Sequence, residues 1–156
     1  MFDKWRRQSV IPGQSDALAK HSALLSLYLA GALPLLRQTR IGSPGVQTAC
    51  QLFVLGMADM IRHVNKLNAS QFLALLQTVL ADHQLAPQLS TERFVDLAGK
   101  AARKFSGVDQ IIREGANSIR GYVANRDMDA PADLLRVAVY AEKNANQLEA
   151  AMSDIG

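Results

Sequence analysis

Residues 21 to 36, HSALLSLYLAGALPLL, carry no acid and no base apart from His21 at the first position. Such a run has few fates: a membrane span, an export signal, a buried helix, or a surface made for a partner. A membrane helix needs about 20 apolar residues. This run is shorter, contains Ser22 and Ser26, has Pro34 near its end, and is bounded by Lys20 and Arg37. An export signal sets its basic residues directly before the apolar run. Here Lys4, Arg6 and Arg7 are separated from it by residues 8 to 21. Both transport readings fail on this geometry, and no transmembrane segment is expected. On a helical wheel Leu18, Leu24, Leu25, Tyr28, Leu29, Leu35 and Leu36 cover about half the circumference, with Leu27 and Leu33 outside that arc. The pattern predicts a helix buried centrally. The alternative is a helix covered on one side by its own core and on another by a second chain.

The rest of the chain reads as helix too. Its 156 residues suit one domain with a sizeable core. A composition 49% hydrophobic and 20% charged excludes disorder. Cys50 is the one cysteine, so no internal disulfide can form, and a reducing, cytoplasmic setting is the simpler expectation. Charge is uneven. Residues 1 to 126 hold fifteen Lys/Arg against eight Asp/Glu, and residues 127 to 156 hold two against six. A basic body with an acidic end suggests internal docking or a basic face for an anionic partner, against ordinary surface scatter.

Punctuation divides the chain into about six helices after a tail over 1–14. Ser15 and Asp16 can cap a first helix to about Gln38, and Ser43-Pro44 can open a second to about Leu67. On that second helix Val46, Phe53, Met57, Met60, Ile61 and Val64 share one side, opposite Gln51, Arg62 and Lys66, as expected of an amphipathic helix. LNASQFLAL and LSTERFVDL repeat one helix start at an offset of 22 residues. Asn68 and Ser90 are the caps, Gln71 can complete a capping box, and Phe72 and Phe94 stand where a hydrophobic staple needs them. Ser106 with Asp109 is read as another capping box, and Asp129 with Pro131 as the start of the last helix. No strand pattern stands out. The expected fold class is all-α, a single-domain helical bundle over 15–156.

The last helix has the most regular pattern. Leu134, Ala138, Ala141, Ala145, Leu148, Met152 and Ile155 follow steps of four and three, a heptad seam over three heptads. Val108, Ile112, Gly115, Ile119 and Tyr122 make a matching stripe on the fifth helix. A tight intramolecular pair and a dimer seam both fit.

Residues able to carry chemistry are sparse. Asp59 and His63 share a face but give two ligands at most, so a surface ion pair is expected rather than a metal site. Cys50 falls on the apolar side of its helix and reads as a small core residue. No nucleophile elbow, phosphate loop or dinucleotide fingerprint occurs, and no cofactor is expected. LGMAD, residues 55 to 59, resembles the helical tellurite-resistance domains over one helix. Those carry further acids after the Ala-Asp pair, where MIRHVNKLN has none, and no function is implied for this chain. Arg93, Lys100, Arg103 and Lys104 form a strip on the fourth helix that could meet an anion, with Arg113 following. Trp5, Arg6 and Arg7 give the tail an aromatic and basic character suited to a partner groove or a peripheral membrane contact.

These observations predict a non-catalytic interaction protein, an adaptor, chaperone or regulator. Its contact residues are expected among Leu25, Tyr28, Leu29 and Leu36 of the first helix and Ala138, Ala141, Ala145 and Leu148 of the last. A second copy of the chain is the simplest partner. The alternative is a nucleic-acid-binding regulator using the strip on the fourth helix.

Overall fold

The computed structural model describes residues 14–39 and 43–153. Seven helices are described and no strand: α1 Gln14–Gln38, α2 Pro44–Asn65, α3 Ala69–Asp82, α4 Thr91–Lys104, α5 Ser106–Ala124, α6 Ala132–Lys143 and α7 Ala145–Ala151. Their buried residues form one continuous core, so the described chain is a single helical bundle.

The central helix is α2, not α1. Every residue from Ala49 to Ala58 is buried, which takes in the whole circumference of α2. Gln51, expected on a polar side, is buried and donates through Nε2 to the carbonyl of Leu85. That bond removes the penalty of burying an amide. Val64, expected on the apolar side, is exposed where α2 leaves the core.

Glycine sets how closely the neighbours approach. A Cβ on Gly56 would collide with the carbonyl oxygen of Ile112, and one on Gly115 with that of Phe53. These pairings run in opposite directions along the two helices, so α5 lies antiparallel on α2 in backbone contact. At the start of α2, a Cβ on Gly45 would come within 2.7 Å of the Cβ of Ala145. The chain therefore brings α7 onto α2 at that end, while α6 packs along α2 and α1.

Several helix starts follow the local sequence. Asn68 and Gln71 form a reciprocal capping box, with Asn68 Oδ1 accepting from the Gln71 amide at 2.8 Å and Gln71 Oε1 from the Asn68 amide at 2.9 Å. Ser90 Oγ accepts from the Arg93 amide at 3.2 Å. Ser43 precedes Pro44 as a cap, though its side chain makes no capping bond. Other boundaries differ from expectation. Ser106 is already helical, and Phe105 stands at the cap. Ser15 and Asp16 lie inside the first turn of α1. The last helix is two helices, because Asn144 leaves helical geometry at φ −120° and donates through Nδ2 to the carbonyl of Tyr140. An asparagine that bonds the backbone locally competes with the helix ladder.

Candidate contact surface

α1 divides into two faces. Leu25, Tyr28, Leu29, Ala32, Leu33 and Leu36 are buried in the core. Ala23, Leu27, Ala30, Gly31, Pro34 and Leu35 are exposed, and Leu27 keeps 62% of its surface. The outer face is therefore as free of charge as the inner one. Polar residues ordinarily occupy the solvent side of a surface helix, so this face departs from the normal pattern.

α6 extends it. Pro131, at the start of α6, lies 3.6 Å from where a Gly31 Cβ would stand. At 100° per residue, Leu135 and Val139 fall within about 80° of Pro131, on the flank turned toward α1. Leu135 is partly buried, Val139 is 39% exposed, and Met128 in the preceding turn is 74% exposed. Six large apolar side chains are exposed among the described residues: Leu27 and Leu35 on α1, Val139 on this flank, Met128 in the turn before α6, and Val64 and Val123 elsewhere. Charge returns only at the ends of α1, with Asp16 and Lys20 exposed at its start and Arg37 at its finish.

The expected contact residues need correcting on this account. Leu25, Tyr28, Leu29 and Leu36 face inward, and so do Ala138, Ala141 and Leu148. Ala145 is half-buried against Gly45. Within the chain the seam of small residues packs mainly on α2 and α1, with α5 contributing less. Ile155, its last expected member, lies outside the described residues, as do Trp5, Arg6 and Arg7. Leu27, which fell outside the predicted apolar arc, is the most exposed leucine of the new surface.

The inward face of α1 is held by a polar node. The Tyr28 hydroxyl donates to the carbonyl of Ala130 at 2.9 Å and lies 2.5 Å from Ser118 Oγ. Ser118 in turn donates to Asp133 Oδ2 at 2.8 Å. Burial holds the Tyr28 phenol well above its ordinary pKa, against the opposing pull of the Ser118 bond. The ring also meets Tyr122 edge-on with centroids 5.4 Å apart. Over Asp16–Gln38, α1 is long and apolar enough to cross a membrane by length and composition. The helix outlasts the uncharged run because Asp16, Lys20 and Arg37 are also helical. Its tyrosine node and its buried leucines join it to α3, α5 and α6.

The basic strip is a face of α4, and Arg93, Lys100, Arg103 and Lys104 are all exposed. Glu92 and Asp96 share that face, and Asp96 pairs with Lys100 at 3.3 Å. Acids at the start and bases at the end of a helix match its dipole. Arg113 pairs with Asp109 at 2.9 Å on α5. Asp59 does not pair with His63. It accepts from Arg62 Nη2 at 2.6 Å and from Nε at 3.0 Å, and the guanidinium lies over the Phe72 ring. Arg62 wins because its planar fork reaches one turn back and stacks at once. Among the described residues no group of three or more His, Cys, Asp or Glu could hold a metal ion. Cys50 is buried, and burial pushes its thiol up to about 12, so it has no thiolate character near neutrality.

No family model, curated protein or solved structure matches the chain.

Proposed function

We propose that this chain is a non-catalytic helical interaction protein that binds another protein chain through the outer face of α1 and the adjoining flank of α6. One observation carries the reading: the face from Ala23 to Leu35 is exposed, apolar and uncharged, while α1 already has a separate, fully packed face in the core. A bundle with enough apolar residues to fill its core gains no folding stability from a second apolar face. Such a face favours association. The nucleic-acid alternative has less support, because Glu92 and Asp96 interrupt the basic face of α4.

The test is photo-crosslinking in the native host. A benzophenone amino acid replaces Leu27, Val139 or, as a control on another exposed face, Gln77. A discrete crosslinked band from positions 27 and 139, absent from position 77, supports the reading. Equal labelling from all three positions, or no band, defeats it.

A further inference from the structure

We infer that the partner for this face is a second copy of the chain, packed antiparallel so that α1 meets α1 across a two-fold axis beside Leu27; this rests on the contact-surface reading above.

Charge chooses the direction. Asp16 is exposed in the first turn of α1 and Arg37 in the last. Between Lys20 and Arg37 no acid or base occurs apart from His21. An axis beside Leu27 sets Asp16 of one copy opposite Arg37 of the other, and does so twice, because a two-fold interface repeats every contact. A parallel pairing would set Asp16 on Asp16 and Arg37 on Arg37. Antiparallel helices also oppose their dipoles favourably.

Shape agrees with charge. With Leu27 beside the axis, Ala23 lies opposite Gly31 of the second copy and Lys20 opposite Pro34. Leu27 is the one bulky side chain on the ridge between Ala23 and Ala30, so at the axis it meets Leu27 of the second copy, with small residues on either side letting the helices close. The lysine stem can lie on the proline ring while its ammonium stays in water.

Area sets the strength. A helix of 25 residues is about 37 Å long and offers a contact strip about 10 Å wide. With the α6 flank added, the two copies bury roughly 1,000 Å² together, the lower end for a specific interface. An interface of that size fits a weak, reversible dimer.

Sedimentation equilibrium of the full chain from about 1 to about 500 µM reads this directly. The mass is expected to rise from 17.0 kDa toward twice that value. Asp16→Arg and Arg37→Asp should each weaken association about tenfold, because each reverses two symmetric pairs at once. The double variant Asp16→Arg/Arg37→Asp should recover it. Leu27→Cys should oxidise to a covalent dimer, while buried Cys50 stays silent. Circular dichroism checks that every variant is folded. A wild type that stays at 17.0 kDa throughout, or a double variant weaker than either single one, overturns the inference. So does a monomer that instead pellets with phosphatidylcholine vesicles, which would assign the face to lipid. The crosslinking above separates the two failures: a band at position 27 of any mass other than twice the chain keeps the contact surface and removes the second copy.

Discussion

Gly115 of α5 rests on the backbone carbonyl of Phe53 in α2, with no room for a Cβ between them. Gly56 returns the contact on the carbonyl of Ile112. Two long helices are thereby joined through their backbones at the centre of the bundle.

Gly115→Ala and Gly56→Ala are each expected to destabilise the fold by about 1 to 3 kcal/mol, since backbone must move to admit one methyl. Gly99 and Gly121 stand in helices with nothing within 4 Å of an added Cβ. Alanine at either should stabilise by about 0.5 to 1 kcal/mol through helix propensity. Urea denaturation of the four variants tests the contrast. Equal effects at all four would deny the close crossing.

The glycines also show why the sequence was legible in part. Helix type follows from local signals, and Asn68 with Gln71 or Ser90 with Phe94 mark starts that the fold keeps; helix number does not, since about six were expected and the last of them is two. Layering does not follow from local signals. α1 has the run richest in leucine, yet α2 is central, and its small residues Gly45, Ala49, Gly56 and Ala58 are all buried where neighbours close on it. The heptad seam reads as continuous through Asn144, whose side-chain Nδ2 donates to the Tyr140 carbonyl where α6 ends. Periodicity marks the uncharged run as helix but not which side turns inward: Leu25, Tyr28, Leu29 and Leu36, expected at a contact, are buried, and Leu27 and Leu35 are exposed. Burial depends on what lies across the core, and Ser118, ninety residues away, decides that Tyr28 faces in.

Tyr28, Ser118 and Asp133 should behave as one unit. Tyr28→Phe and Ser118→Ala are each expected to cost about 1 to 3 kcal/mol by leaving buried partners unmet. The double variant should cost less than the sum, with a coupling of about 0.5 kcal/mol or more. Additive losses in a denaturant cycle would mean that the two hydroxyls do not depend on each other.

Cys50 gives the fold an alkaline limit. Its thiol is neutral in the core up to about 12, whereas the unfolded chain releases that proton near 9.0. The unfolded state then binds fewer protons, so stability falls as pH rises from about 9 toward 12. By pH 11 the loss is about 2 to 3 kcal/mol. Tyr28, whose pKa is also raised by burial, steepens the fall above its ordinary value of 10.0. Chemical denaturation at pH 8, 9, 10 and 11 should show this slope. Cys50→Ala should flatten its lower part, and an unchanged slope in that variant would locate the titration elsewhere.

The alanine seam offers the sharpest separation between contacts within the chain and contacts between chains. Ala138 and Ala141 are fully buried, and the Ala141 carbonyl lies 3.2 Å from where a Gly45 Cβ would stand. Ala141→Leu therefore pushes α6 away from the start of α2, at a cost of about 1 to 3 kcal/mol. Because the seam packs mainly on α2 and α1 of the same chain, the variant should melt earlier while its self-association, compared at a temperature where both proteins are folded, stays that of the wild type. Leu27→Ser should do the opposite, weakening association while the melting temperature of the monomer holds, since its side chain is mostly in solvent. Scanning calorimetry and sedimentation on the same two samples give a crossed result. If Ala141→Leu dissociates a dimer and Leu27→Ser does not, the seam is the interface and the outer face of α1 is not.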